Sequence, residues 1–366
     1  MRDEPIVDPT DNANSSADDR SSSAEQSERP RPSAWLTIDA DTQIASLLRE
    51  CGVCQSGEEI VAIERAGEGN MNLTLRVRTT SQTVIVKQSR PWVEKYPQIS
   101  APVERVLQEL LFYETAGTDS QLAAHMPKLL GSCSDQYVIV LQCLGQANDG
   151  SSLYRQHHAD AALNKLLPDL VNWLEQLHRI VIPADRITEF SNRPLRELNH
   201  QHIFVIPFSE QPALNLDQVT PGLANLAQPL AHDTRLTSRL KQLGNLYLCD
   251  RPNLIHGDFF PGSWLVSNGQ VYVIDPEFSH GGMPEFDLGV LVAHGRLISA
   301  DDSPDVLTRI RSLYRETSRA IDWKLVDQFA AVEVLRRLLG VAQLPLALEL
   351  RQKAQHVEAA ANVLSA

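Results

Sequence analysis

Apolar and polar positions alternate in short blocks along the first part of the chain. Apolar runs at 60–66, 71–77 and 83–88 are separated by turn-forming residues, and another run follows at 137–141. Short runs bounded by turns predict half-buried β-strands. A stretch with helical spacing, from about 102 to 115, precedes the fourth run. We therefore expect a small, mostly antiparallel sheet with one inserted helix.

The spacing of apolar residues becomes helical in the second part of the chain. Apolar residues over 163–177 form a long stripe, in which Pro168 either kinks the helix or marks its start. The region beyond about 303 has the same helical spacing. Two apolar runs, at 254–255 and 271–274, predict short buried strands. The expected fold is α+β, with a small antiparallel-sheet lobe followed by a larger, mostly helical lobe.

The first 33 residues contain few large apolar side chains and are rich in Ser, Asp, Glu, Arg and Pro. Such a segment cannot bury enough surface to offset the entropy lost on ordering. It therefore predicts a disordered tail over 1–33. The rest divides into an amino-terminal lobe over 34–145 and a carboxy-terminal lobe over 146–366.

Composition narrows the range of partners and locations. The 366 residues carry a formal net charge of −13, which argues against broad electrostatic contact with nucleic acid or an anionic membrane. The sequence contains no apolar run that could span a bilayer and no apolar secretory core at its start. A cytoplasmic location is expected. Cys51 and Cys54 form a lone pair, which predicts the end of a helix rather than a zinc site.

The main candidate chemistry follows the two predicted strands of the second part. Asp258 lies in His256-Gly257-Asp258 after the first strand, and Asp275 and Glu277 follow the second. Phosphoryl transfer needs one carboxylate for the proton of the attacking hydroxyl and others for magnesium on the phosphates. Asp258 suits the first role, and Asp275 with Glu277 suits the second. Ordinary turn residues are the alternative, because Gly-Asp is a common turn pair.

The predicted amino-terminal sheet carries residues suited to a nucleotide. Gly67, Gly69 and Asn70 lie between the first two strands, where backbone amides can fold over phosphates. Lys87 ends the third strand and either snorkels to solvent or reaches the α- and β-phosphates. Glu109, on the following helix, either lies at the surface or pairs with Lys87. The order of these residues along the chain favours an ATP site.

Arg336 and Arg337 are adjacent on a predicted helix, so their side chains leave the axis about 100° apart. A planar guanidinium fork is well suited to a sugar hydroxyl or a transferred phosphate. The alternative is a pair of surface or helix-anchoring arginines, because arginine is mostly exposed.

Several motifs together resemble the aminoglycoside phosphotransferase and choline kinase superfamily, and more closely the 5-methylthioribose kinase family. The similarity runs from about residue 36 to 350. The motifs that carry it are His-Gly-Asp followed by Gly262-Ser263, Asp275-Pro276-Glu277, Phe286-Asp287-Leu288-Gly289, and Glu-x-x-Arg-Arg-x-x-Gly over 333–340.

The resemblance implies a bilobal protein-kinase-like fold that uses ATP and Mg²⁺, and a homodimer. It implies that Ser263 joins the metal acids and that Asn72 lies on the substrate side. Gln142 and Leu144 match the hinge that holds adenine, mainly through backbone groups. Asp287 matches an aspartate that braces the catalytic loop by accepting hydrogen bonds from its backbone.

Three functions remain open. The first is transfer of the ATP γ-phosphate to the anomeric hydroxyl of 5-methylthioribose, in methionine salvage. The second is phosphorylation of another deoxy-sugar, choline or an aminoglycoside. Phe259-Phe260-Pro261 favours this second function, because the family has Leu-His-Thr there, beside the acceptor. Gln343 also stands where the family has histidine. The third function is that of a nucleotide-binding pseudokinase scaffold.

Overall fold

An antiparallel sheet with one helix on each face forms the first lobe. Its main described elements follow one another in chain order. They are α1 (Asp41–Glu50), β1 (Ile60–Arg65), β2 (Leu73–Thr79), β3 (Thr83–Gln88), β4 (Trp92–Val93), β5 (Tyr96–Ser100), α2 (Arg105–Ala116), β6 (Leu129–Cys133) and β7 (Val138–Gln142). A single-turn helix, α3 (Ser120–Ala123), follows α2.

The computed structural model describes residues 35–67, 71–155, 159–210, 213–299, 305–315 and 320–366. The tail predicted over 1–33 lies outside the described residues, as do Gly69 and Asn70 of the predicted phosphate loop. Among the described helices, none combines the length and the apolar character needed to cross a membrane.

The five-stranded sheet has the order β1-β2-β3-β7-β6, and every pairing in it is antiparallel. The predicted strands and the inserted helix are confirmed. The short hairpin β4–β5 and strand β6 are not predicted from sequence. The reason for β6 is that Leu129–Cys133 has no regular alternation of buried and exposed positions.

The alternation of side chains along β7 divides the apolar residues of this lobe between two cores. Val138 and Val140 pack in the cluster that contains Leu47 and Leu48 of α1. Ile139 and Leu141 point to the opposite face and belong to the larger cluster that continues into the second lobe. Because successive side chains of a strand alternate in direction, one strand serves both cores.

The second lobe is mostly helical, as predicted, and its described residues form two small β-sheets. Its elements are β8 (Asn148–Asp149), α4 (Ala159–His178), α5 (Arg193–His200), α6 (Leu216–Val219), α7 (Leu223–His232), α8 (Thr234–Tyr247), β9 (Asn253–Ile255), β10 (Trp264–Ser267), β11 (Gln270–Val273), β12 (His280–Gly282), α9 (Pro284–Ile298), α10 (Val306–Leu313), α11 (Trp323–Leu339) and α12 (Leu350–Ser365).

The two predicted strands of this lobe, β9 and β11, belong to different ladders. β11 pairs with β10, which also pairs with β8, whereas β9 pairs with β12. The partner strands β8, β10 and β12 are not predicted from the sequence. Pro168 lies inside α4, so the alternative that it marks the start of this helix is wrong.

Helices α9 and α11 pack closely in the centre of the second lobe, and almost all of their residues are buried. Gly289 allows this approach. A Cβ atom built at this position would lie 2.6 Å from Cβ of Phe329 and 3.0 Å from the carbonyl oxygen of Val326. Since α11 also carries Arg336 and Arg337, this glycine contact fixes the position of the arginine pair.

Gly289→Ala should therefore lower the stability of the protein. The added methyl group must push α9 away from α11, and overpacking of this kind costs about 1–3 kcal/mol. Chemical denaturation of the variant would measure this loss. Arg351→Ala, at an exposed position of α12, is the control and should change stability by less than about 0.5 kcal/mol. Equal stability of the Gly289 variant and the wild type would contradict the inferred close packing.

Candidate active site

Lys87 is the cation around which one half of the site is arranged. Its Nζ donates to both carboxylate oxygens of Glu109, each at 2.7 Å, and to Oδ1 of Asp275 at 2.7 Å. Lys87 and Glu109 are buried, so the alternatives of a solvent-reaching lysine and a surface glutamate are wrong. The predicted pairing of Lys87 with Glu109 is confirmed.

The charges of this cluster depend on one another. Burial by itself would lower the pKa of Lys87, but the carboxylates of Asp275 and Glu109 outweigh it and hold that pKa well above its ordinary value. Burial raises the pKa of Glu109 to about 7, against the opposing effect of Lys87. Lys87 is therefore a permanent cation at neutral pH, which is the charge that anionic phosphates require.

The loop that carries Asp258 is braced by Asp287. Oδ2 of Asp287 accepts from the backbone N–H of His256 at 2.7 Å, and Oδ1 accepts from that of Gly257 at 2.9 Å. Nε2 of His178 lies 3.2 Å from Oδ2. Burial would raise the pKa of Asp287, but its interactions with His178 and His256 outweigh burial and lower that pKa. The predicted bracing role of Asp287 is confirmed.

Gly257 and His256 fix the path of the chain into Asp258. Gly257 has φ +83°, and a Cβ at this position would lie 2.2 Å from the carbonyl oxygen of Phe278. Burial lowers the pKa of His256, so its ring is neutral. Its Nε2 faces the carbonyl oxygen of Ile274 at 3.0 Å, while Nδ1 accepts from the backbone N–H of Asp258 at 3.3 Å. The catalytic candidate is therefore held by its own loop.

Of the residues predicted to hold a metal, Asp275 and Glu277 follow β11, and Ser263 directly precedes β10. Asp275 has a left-handed backbone, with φ +60°, and its side chain is 47% exposed. Glu277 is buried, and burial raises its pKa. Oγ of Ser263 donates to the carbonyl oxygen of Asp258 at 3.1 Å, and its own carbonyl accepts from the N–H of Ile274 at 3.0 Å. Ser263 thus links the Asp258 loop to the segment that ends in Asp275.

Arg105, which belongs to none of the sequence motifs, joins Glu277 to the amino-terminal lobe. Its Nε donates to Oδ1 of Asn72 at 2.8 Å and lies 3.5 Å from Oε2 of Glu277. Its Nη2 donates to the carbonyl oxygen of Met71, directly after the predicted phosphate loop. Asn72, predicted on the substrate side, also donates to Oε2 of Glu277 at 2.9 Å. A sequence signal for Arg105 is its four-residue spacing from Glu109, because residues four apart lie on the same face of a helix.

Arg336 and Arg337 converge on Asp258. Their Nη1 and Nη2 atoms lie 3.7 and 3.4 Å from Oδ1 of Asp258, respectively. Glu333, one turn earlier on α11, accepts from Nε of Arg337 at 2.6 Å and from Nη1 of Arg336 at 3.1 Å. Both arginines are buried, so the alternative of a surface pair is wrong. Glu333 can bind both arginines although they leave the helix axis in different directions, because positions i+3 and i+4 lie on the same face of the helix as Glu333.

Burial would raise the pKa of Glu333, but Arg336 and Arg337 outweigh it and hold that pKa well below its ordinary value. Phe260 covers Arg337, since the guanidinium carbon lies 4.7 Å from the centre of its ring. His294 and Tyr154 complete this cluster, with a hydrogen bond of 2.6 Å between them. Neither residue can be identified from the sequence, because neither belongs to a motif and only the packing of distant segments joins them to the site.

Gln343, where the resemblance predicts histidine, closes the end of α11. Its Nε2 donates to the carbonyl oxygens of Leu338 and Gly340, at 3.1 and 2.7 Å. These bonds satisfy carbonyl groups that a helix end leaves without partners. Gln343 therefore stabilises the end of the helix that carries the arginine pair.

The predicted adenine hinge connects the two lobes. The backbone N–H of Gln142 donates to the carbonyl oxygen of Lys128 at 2.8 Å. The carbonyl oxygen of Leu144 accepts from Oγ of Ser267, on β10, at 2.9 Å. Gly67, at the start of the predicted phosphate loop, has φ +74° and therefore begins a turn that favours glycine.

Comparison with known proteins gives a consistent family. Residues 62–329 match the model of the phosphotransferase enzyme family. The chain is 27% identical over 259 residues to the methylthioribose kinase of Yersinia pestis (strain Pestoides F), which covers 67% of this chain and 61% of that protein. It is 25% identical over 348 residues to that of Geobacillus kaustophilus (strain HTA426), with 82% and 84% covered. The match thus spans about 61% of the length of the Yersinia relative.

Among solved structures, the fold matches that of a spectinomycin phosphotransferase in complex with ADP and spectinomycin. The TM-score is 0.52 at 15% identity, and the match covers 89% of this chain and 97% of that chain. The predicted α+β, protein-kinase-like fold and the resemblance to methylthioribose kinases within this superfamily are confirmed.

Replacing Arg105 with methionine should strongly destabilise the protein. The variant keeps the length of the side chain but removes the buried guanidinium that lies beside Glu277 and donates to Asn72 and to the carbonyl of Met71. Breaking a buried charge pair in this way costs about 3–5 kcal/mol. Arg65→Met is the control. Arg65 is 57% exposed, and its partner Glu94 also pairs with Arg90, so we expect a loss below about 1 kcal/mol. Similar losses in both variants, measured by chemical denaturation, would argue against the central role of Arg105.

Proposed function

Because the chain belongs to the phosphotransferase enzyme family, we propose that it is an ATP-dependent kinase acting on a hydroxyl of a small sugar. Our preferred acceptor is the anomeric hydroxyl of 5-methylthioribose, because methylthioribose kinases are among its relatives. The observation that carries this proposal is the approach of Arg336 and Arg337 to Asp258. It combines a proton acceptor with two cations suited to a transferred phosphoryl group.

The amino-terminal lobe, over 34–145, would bind the nucleotide in this proposal. Lys87, held between Glu109 and Asp275, would contact the α- and β-phosphates. The loop that begins at Gly67 would cover the phosphates, and the backbone at Gln142 and Leu144 would hold adenine. The carboxy-terminal lobe, over 146–366, would then provide the catalytic and acceptor-binding groups.

The residues after β11 suit a magnesium ion. Mg²⁺ prefers oxygen ligands and usually binds through one or two carboxylates together with substrate phosphates. Asp275 is a half-exposed carboxylate, and Glu277 adds a second beside it, so both would hold the ion, with Ser263 nearby. When bound, Mg²⁺ would neutralise part of the negative charge on the nucleotide phosphates.

Asp258 would orient the acceptor hydroxyl and accept its proton, because its carboxylate is held by the braced loop. Arg336 and Arg337 would stabilise the negative charge on the phosphoryl group during transfer. Since the arginines are buried and already oriented by Glu333, little reorganisation is needed when the substrate binds. All main catalytic positions are filled, which ranks the pseudokinase scaffold below a working kinase.

The charges around Asp258 favour a neutral acceptor over a cationic one. The carboxylates of Asp258 and Glu333 both lie against guanidinium groups, so neither is an unpaired partner for an ammonium ion. The ring of Phe260, which could otherwise receive a quaternary ammonium, faces Arg337. Choline and aminoglycosides therefore fit less well than a sugar. Another deoxy-sugar is the second candidate acceptor, because Phe260 stands where the family has histidine beside the acceptor.

A panel of acceptors tests the substrate class. The purified protein with ATP and Mg²⁺ would be offered 5-methylthioribose, deoxyriboses, choline and an aminoglycoside, and ATP consumption would be followed. We expect turnover with 5-methylthioribose and none with the two cationic acceptors. Turnover with choline alone would contradict the proposed sugar acceptor, while ATP binding without any turnover would support the scaffold. A homodimer and a cytoplasmic location stay predictions.

Asp258→Asn should lower kcat by about 10²–10⁴-fold, the usual contribution of a general base, because the amide cannot accept the hydroxyl proton. ATP binding, measured by calorimetry, should change little, since Asp258 belongs to the other half of the site. Asp135→Asn, at an exposed turn, is the matched control and should retain full activity. Undiminished turnover in the Asp258 variant would remove this residue from its role.

A further inference from the structure

We propose that His294 and Tyr154 are positioning residues that hold Arg337 against Asp258 through Glu333. The inference rests on the proposed function, because it concerns the acceptor side of the same site. None of the motifs along the sequence includes His294 or Tyr154. Their role is argued from hydrogen bonds, burial and ring contacts.

A continuous path of hydrogen bonds connects Tyr154 to Asp258. The hydroxyl of Tyr154 lies 2.6 Å from Nδ1 of His294, and Nε2 of His294 lies 3.2 Å from Oε1 of Glu333. The same oxygen accepts from Nε of Arg337 at 2.6 Å. Nη2 of Arg337 then donates to Oδ1 of Asp258 at 3.4 Å. The path therefore ends on the candidate base.

The path has a single consistent direction of donation. Burial lowers the pKa of His294 and raises that of Tyr154 well above its ordinary value, so both groups are neutral. Tyr154 then donates to Nδ1, and the Nε2 proton of His294 is donated to the carboxylate of Glu333. Each buried polar atom on the path has a partner, as a rigid polar network requires.

Phe260 restricts the remaining freedom of Arg337. Its ring lies 4.7 Å from the guanidinium carbon and 5.6 Å from the centre of the His294 ring. A Cβ at Gly262 would lie 2.5 Å from the Phe260 ring, so the glycine makes room for the ring in this position. Arg337 is therefore fixed through Nε, through Nη2 and by contact with one face of the guanidinium.

A second tyrosine–histidine–carboxylate group contacts the loop that carries Asp258. Nδ1 of His178 lies 3.0 Å from the hydroxyl of Tyr314, and its Nε2 lies 3.2 Å from Oδ2 of Asp287. That group fixes the backbone of the catalytic loop. The His294 group has the same construction but ends on an arginine, so the two groups hold the base and its cationic partner separately.

Arg336 indicates why loss of His294 would affect Arg337 selectively. Arg336 binds Glu333 through Oε2 at 3.1 Å and through a longer contact of 3.4 Å to Oε1, whereas His294 and Arg337 bind Oε1 alone. Without the imidazole, Glu333 can rotate towards Arg336, and Arg337 loses the geometry of its contact with Asp258. A small displacement of a catalytic group is enough to cost up to about 100-fold in rate.

Steady-state kinetics of three variants tests the proposal. His294→Leu removes both hydrogen bonds, and we expect kcat/KM for the acceptor to fall about 10- to 100-fold while KM for ATP stays unchanged. His294→Gln keeps an acceptor for Tyr154 and a donor for Glu333, and should recover most of this loss. Tyr154→Phe removes one bond and should have a smaller effect of the same kind.

Leu364→Ala is the control for a purely structural effect. Leu364 is buried on α12, so the variant should melt at a lower temperature and keep wild-type kinetics below that temperature. A lower melting temperature without a loss in acceptor kcat/KM, in all three kinetic variants, would overturn the positioning role.

Exchange of the Arg337 Nε proton gives a readout that does not need turnover. In protein with ¹⁵N-labelled arginine, this proton should exchange slowly in the wild type and in His294→Gln, and faster in His294→Leu. Equal exchange rates in all three proteins would overturn the proposal. If the wild type phosphorylates no acceptor, the proposed function fails, and the exchange rates still decide whether His294 positions Arg337.

Discussion

Lys87 donates to carboxylates from two separate parts of the chain, Glu109 on α2 and Asp275 after β11. A buried charge without a partner is costly, so this lysine is stable only where both segments meet. The ion pairs therefore join the amino-terminal sheet to the loop of the second lobe. Arg105, one turn earlier on α2, forms a similar ion pair between the lobes, because it lies 3.5 Å from the carboxylate of Glu277.

Compensation of buried charge also organises the proposed acceptor side. Glu333 on α11 accepts from Arg336 and Arg337, and both arginines approach Asp258. Four charged groups thus balance one another in a small and largely buried volume. This balance keeps the arginines oriented before a substrate arrives, which is the arrangement that favours stabilisation of a developing negative charge.

The backbone conformation also helps to fix the geometry of the site. Gly257 takes a positive φ where a Cβ would collide with the carbonyl of Phe278, and Asp287 accepts from two consecutive backbone amides of the same loop. Asp275 adopts a left-handed conformation that few residues with a side chain take. Such conformations persist only where the surrounding contacts hold them, and they are frequent at functional sites.

The order of strands, helices and motifs along the chain followed from local patterns, because hydrophobic period and turn chemistry act over a few residues. The same local information identified Lys87, Glu109, Asp258 and Asp275 as candidates. Strand β6 was not predicted, because buried and exposed positions do not alternate regularly along it and its strand conformation depends on pairing with β7.

What only the tertiary structure decided is which distant groups share a buried volume. Arg105 meets Glu277, and Tyr154 meets His294, across 172 and 140 positions of sequence, respectively. No local pattern encodes such pairs, since each residue by itself is compatible with many surroundings. The packing of α9 against α11 and of α2 against the segment after β11 brings them together. The cost of burying an uncompensated polar group then determines that they must pair.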